Sequence, residues 1–177
     1  MGVNGIASLA GAIKFMDVVK KVVLSRNFLF GSTTGDYGQT IHNIDTDQTG
    51  WSSLCESFKG SSIEELILCD VGMGVNGIAL LADAIKFMAA IARLTLSENP
   101  ISGSTKKYGN WDKFDLDLSG LTLLCEALCT LKNPIELDLS NCGLSVNAVN
   151  LVAQAISTGA AVVSLKIGGA DFGEVYA

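Results

Sequence analysis

The stretch Gly2–Met16, GVNGIASLAGAIKFM, is spelled again at Gly74–Met88 as GVNGIALLADAIKFM, 72 residues further along. A repeat of this length is read before anything else, because a chain of similar units buries its core by stacking them. The likeness extends outward, since VVLSRNFLFGST from Val22 answers LTLSENPISGST from Leu94 at the same spacing. TGWSSLCES from Thr49 matches SGLTLLCEA from Ser119 at 70, and Val71–Ile85 matches Asn141–Ile156 at about 71. Nearly the whole chain is two copies of one block.

Each block contains a smaller unit marked by paired apolar residues: Val22 and Leu24, Leu66 and Leu68, Leu94 and Leu96, Leu137 and Leu139, Leu165 and Ile167. The second members are 44, 28, 43 and 28 residues apart. Side chains alternate across a strand, so each pair enters the core while the residues between face solvent. Three residues beyond the pair stands Asn27, Asn99 or Cys142, where an amide side chain can satisfy backbone groups that the turn leaves unpaired. Two units depart from this and carry Val71 and Ala170 there. A helix is expected after each strand, from apolar residues at helical spacing such as Ile78, Leu81, Ala82 and Ile85, or Val149, Val152, Ala153 and Ile156.

On ARLTLSENPISGST and IELDLSNCGLSVNAVNLVAQAI the sequence resembles the leucine-rich repeats of the ribonuclease-inhibitor type. The resemblance implies a single α/β domain over residues 1–177, a right-handed solenoid forming a horseshoe segment. Parallel strands would line its concave face and helices its convex face, with two loop insertions at about 27–50 and 99–120. It also implies a non-catalytic protein-protein interaction module, a scaffold or complex subunit that brings no catalytic residues and no cofactor. A GTPase-activating regulator is a further reading from the same resemblance, with no arginine finger assignable. Met1 aligns with Met73, so a fragment or an uncapped subunit of a larger complex is expected.

The insertions are rich in Gly, Ser, Thr and Asp and read as loop. Near the end of each, NIDTDQTG and KFDLDLSG are expected to add a strand, with Ile44 answering Phe114. Tyr37, Tyr108 and Trp111 are candidate contact residues, because exposed aromatics anchor interfaces. The same segments loosely spell a calcium loop, with Asp45, Asp47, Thr49 and Glu56 in one copy and Asp115, Asp117, Ser119 and Glu126 in the other, and Gly sixth in both. The repeat already accounts for these residues as outward-facing strand and helix positions, so no metal is assigned, and a calcium-binding protein using these segments is the alternative function.

Net charge is −6, which disfavours nucleic acid and anionic membrane. On the expected concave face stand Glu65, Asp70, Glu98, Glu136 and Asp138, joined by the insertion aspartates, against Lys21, Arg26 and Arg93. That balance predicts a protein partner with a basic surface. Gly72, Gly74 and Gly77 spell a dinucleotide fingerprint between strand and helix, but Asn141–Ile156 loses its last two glycines, so no phosphate is required. Five cysteines (Cys55, Cys69, Cys125, Cys129, Cys142) in no paired pattern read as buried free thiols in a reducing, intracellular and cytoplasmic setting. The single histidine, His42, has no nucleophile beside it in the pattern, and no apolar run is long enough to span a membrane.

Overall fold

The structure is a computed structural model that describes residues 2–15, 18–34 and 41–168. In the first block, α1 (Val3–Ile13) leads to β1 (Lys21–Val23), then to a hairpin of β2 (Thr33–Thr34) and β3 (Ile41–His42), then to α2 (Thr49–Phe58) and β4 (Glu65–Ile67). The second block repeats the order as α3 (Val75–Ile85), β5 (Arg93–Thr95), β6 (Thr105–Lys107), β7 (Asn110–Lys113), α4 (Ser119–Leu128) and β8 (Ile135–Ser140). α5 (Val146–Ser157) and β9 (Val162–Gly168) follow.

The fold is α/β, with a five-stranded sheet in the order β1-β4-β5-β8-β9 whose neighbours all run parallel. Its register sets Val22, Leu66, Leu94, Leu137 and Leu165 side by side. The first four of these are buried, as are Leu24, Leu68, Leu96 and Leu139, so the apolar pairs feed one core. Each such leucine contributes about 1.5–3 kcal/mol through removal from water. Leu165 departs from its expected core position, being 37% exposed. It lies on edge strand β9, and among the described residues no further unit covers it.

The helices pack in chain order, each against the next. In α3, Ile78, Leu81, Ala82 and Ile85 are all buried as the spacing predicts. In α5 the buried set is Ala148, Val152 and Ala155, and Ala153 turns outward. Gly50 and Gly120 permit the close approach of α1 to α2 and of α3 to α4. A Cβ on Gly120 would collide with the Val75 carbonyl oxygen, and one on Gly50 with that of Val3. Trp51 fastens α2 to α3: fully buried between the rings of Phe30 and Phe58, it donates its indole N–H to the Gly77 carbonyl at 2.9 Å.

Both insertions differ from expectation. Residues 43–48 and 114–118 form no strand; the pairing occurs earlier, as the antiparallel hairpins β2–β3 and β6–β7. Asp45 and Asp115 explain why, since both adopt left-handed backbone angles (φ 58° and 51°) that break an extended run. The surplus length of the long units is therefore a hairpin inserted between a strand and its helix. Among the described residues no helix is long and apolar enough to cross a membrane.

Candidate functional site

The outward face of the parallel sheet follows from its register. Lys21, Glu65, Arg93 and Glu136 stand in one row across four strands, alternating in sign. Lys21 Nζ lies 2.8 Å from Glu65 Oε2, and Arg93 reaches the same oxygen at 3.5 Å through Nη1. Arg93 also donates to Glu136 Oε2 through Nε and Nη2, each at 2.9 Å. In the next row Lys166 lies 3.7 Å from Asp138, whose carboxylate also accepts from the Ser140 hydroxyl at 2.6 Å. The hydrogen bond from Lys21 holds the Glu65 carboxyl below its ordinary range, and Glu136 raises Arg93 above its own. The strand face is thus a neutralised ladder and not the acidic hollow expected from counting signs. Exposed pairs of this kind contribute about 0–1 kcal/mol each, so the row adds little to stability.

Asp70 and Glu98 do not lie on strands. Together with Arg26 and Asn141 they occupy the turn beyond each strand, all with positive φ (52°, 63°, 56° and 53°). Burial pushes the Asp70 carboxyl up, Glu98 adds to the rise, and Lys106 and Arg26 oppose it. Beside this turn row stands the β6–β7 hairpin. Trp111, half-buried, donates its indole N–H to Asn141 Oδ1 at 2.9 Å and lies where a Cβ on Gly143 would meet its ring at 2.5 Å. Tyr108 is 87% exposed at the hairpin tip. Of the three aromatics expected as contacts, Tyr108 projects, Trp111 roots the hairpin, and Tyr37 lies outside the described residues.

The insertion aspartates act on helices. Asp45 accepts backbone N–H bonds from Gly74 (2.9 Å), Asn76 (2.6 Å) and Gly77 (3.1 Å) at the start of α3. Asp115 does the same for α5, accepting from the Ser145 hydroxyl and from the backbone N–H of Ser145 and Ala148. Asp47 and Asp117 cap their own helices, taking the N–H of Thr49 and Ser119 at 2.9 Å. Glu56 pairs with Lys59 at 2.7 Å on the flank of α2, and Glu126 is an exposed α4 residue. The carboxylates of the calcium spelling thus serve different helix ends. Gly50 and Gly120, sixth in that spelling, sit in the first turn of a helix without the positive φ of a calcium-loop glycine. Among the described residues no three His, Cys, Asp or Glu side chains converge on a possible ion. The dinucleotide fingerprint resolves similarly, for the α3 N-terminus that would face a phosphate holds the Asp45 carboxylate. Gly74 and Gly77 leave room for it, since a Cβ on either would lie 2.7 or 2.9 Å from its oxygens.

Asp47 and Asp117 yield a pH prediction. Bonds from Thr49 and Ser119 hold both carboxyls below their usual 3.8. A depressed folded value means that their contribution is present above 3.8 and lost as pH falls through the lower folded midpoint. Carboxyl chemical-shift titration is expected to place both midpoints below 3.8, and the stability advantage over an Asp47→Asn/Asp117→Asn variant to shrink with acidification.

The thiols divide. Cys55, Cys125 and Cys142 are buried, Cys69 is half-buried, and Cys129 is exposed, contrary to the expectation of five buried thiols. Burial pushes Cys125 up to about 11 and Cys142 up to about 12, away from thiolate chemistry. The sequence reading missed the cations of the second hairpin, Lys106, Lys107 and Lys113, although their clustering in KKYGNWDK was visible.

No family model matches the sequence, and no curated protein matches it. Among solved structures 23 chains match. One is described as Leiomodin-1 Actin-Binding Site 2, at 12% identity and a TM-score of 0.61, with 90% of this chain and 77% of that chain covered. At that identity the likeness speaks for the fold alone.

Proposed function

We propose that the chain is a non-catalytic protein-binding module, a leucine-rich-repeat solenoid segment of the ribonuclease-inhibitor type. Its strands form the concave face, its helices the convex face, and it works as a scaffold or assembly subunit. The observation that carries this reading is the strand register, which sends Val22, Leu66, Leu94 and Leu137 of β1, β4, β5 and β8 into one core and leaves a continuous row of charged side chains facing outward. The neighbour's description as an actin-binding site supports a protein-binding role without naming this chain's partner. A partner meets the ladder by exchanging these ion pairs for its own, so charged groups of either sign can be read in register.

The test uses the reciprocal swap Arg93→Glu/Glu136→Arg. Because the pair is exposed, stability is expected to change by less than about 1 kcal/mol. Capture of the partner that the wild-type protein isolates from its native source is expected to fall about tenfold. A swap that leaves capture unchanged would remove the strand face from the reading. Wild-type protein that captures nothing would remove the module reading altogether.

A further inference from the structure

We propose that the β6–β7 hairpin is a docking element for an acidic segment of the partner protein, a proposal that rests on the binding-module reading. The chain has 12 lysines and arginines and a net charge of −6, yet three of those lysines, Lys106, Lys107 and Lys113, fall on this hairpin. Lys106 lies over the Trp111 ring at 4.5 Å and offsets Asp70, so its charge is already engaged. Lys107 and Lys113 are exposed, and among the described residues neither has a carboxylate within ion-pair distance. Lys107 stands 5.5 Å from the centre of the Tyr108 ring. An exposed aromatic ring and two ammonium groups that no carboxylate neutralises together suit a carboxylate-rich segment with an apolar side chain.

Two features separate this hairpin from an ordinary solvated loop. Its root is fixed: besides the Trp111 bond to Asn141, the Ser104 hydroxyl donates to the Gly143 carbonyl at 2.6 Å and accepts the Asp115 N–H at 2.9 Å. A preorganised projection loses little freedom on binding. At the tip Tyr108 (φ 52°) and Gly109 (φ 84°) both adopt left-handed angles, a turn that favours Asn or Gly over a bulky aromatic. Tyrosine is held there against local preference with its ring in solvent. The second feature is the comparison between blocks. The insertion of the first block, STTGDYGQTIHN, contains no lysine, so the shared scaffold does not require these cations.

The experiment selects binders from a random peptide library displayed on phage, against the wild-type protein and a Lys107→Glu/Lys113→Glu variant. A synthetic glutamate-rich peptide and an oligothymidylate then serve as soluble probes in fluorescence anisotropy. Expected are peptides enriched in Asp and Glu beside an apolar residue, and about tenfold weaker binding of the glutamate-rich probe to the variant, with the melting temperature unchanged. Tyr108→Ala is expected to weaken the probe as well, also without loss of fold. Enrichment of lysine-rich or uncharged peptides, or undiminished binding by the variant, would overturn the hairpin assignment while leaving the module reading intact. Tighter binding of oligothymidylate than of the peptide would overturn it in favour of a nucleic acid. Failure of the module reading is seen separately, in the partner capture by wild-type protein.

Discussion

Asn99→Ala is expected to cost about 3–5 kcal/mol of unfolding free energy, read as a shift of the urea midpoint at unchanged slope. Asn99 is fully buried, and its amide is used on both sides. Nδ2 donates to the carbonyls of Leu68 (2.6 Å), Leu96 (2.9 Å) and Ser97 (3.1 Å). Oδ1 accepts the N–H groups of Val71 (3.0 Å) and Met73 (3.1 Å). Alanine strands both of those donors out of reach of water, at about 1–3 kcal/mol each, and leaves carbonyls from two neighbouring units underbonded. Asn99→Asp tests the donor side alone, for it keeps an acceptor but aims a carboxylate at three carbonyl oxygens, and is expected to be as damaging. The counterpart Asn27 is half-buried, with Nδ2 bonded to Leu24 and Ser25, and Asn27→Ala is expected to cost about 1–2 kcal/mol. An Asn99→Ala loss below that of Asn27→Ala would show that the turn finds other partners.

That asparagine was legible because the repeat pattern fixes its place three residues beyond Leu96, even though its amide also reaches back to Leu68, Val71 and Met73 of the preceding unit. The alternation of Leu66 with Leu68, or Leu137 with Leu139, likewise announces a strand, and the spacing of Ile78, Leu81 and Ile85 announces the helix behind it. The ladder of charges was not legible in the same way. Glu65, Arg93 and Glu136 are 28 and 43 residues apart, and only the strand register makes them neighbours. Counting signs without that register turned an ion-paired row into an acidic face. The hairpins escaped for a different reason. β6 and β7 are three and four residues long, too short for alternation to declare itself, and Tyr108-Gly109 replaces the Asn-Gly that marks such a turn.

The aspartates were misread because capping is sought beside the helix that it serves. None of α2–α5 receives a side-chain bond from its own N-cap residue; α3 begins at Gly74, which has no side chain to offer. Its cap arrives from Asp45, 29 residues earlier, across the boundary between units. The spelling D-x-D therefore encodes two caps of different range, the second Asp for the adjacent helix and the first for the helix of the next unit. A repeat that reuses this device ties each insertion to the following unit, which couples their folding.

Asp45→Ala measures that coupling. Its carboxylate satisfies three backbone N–H groups that α3 would otherwise leave open, and places a negative charge at the positive end of the helix dipole. Loss of a cap costs about 0.5–2 kcal/mol and loss of a partly buried charge at the helix end up to about 2, so a decrease of about 2–3 kcal/mol is expected for Asp45→Ala. Asp115→Ala should lose slightly less, because the Ser145 hydroxyl remains at the α5 terminus and can turn toward the vacated N–H groups. The variant also leaves behind a small anion site lined by Gly74 and Gly77. Sulfate is therefore expected to raise the stability of Asp45→Ala more than that of the wild-type protein, whose own carboxylate fills the place. Equal sulfate responses, or a loss under about 0.5 kcal/mol, would mean that α3 does not depend on the preceding insertion and that the units fold without this link.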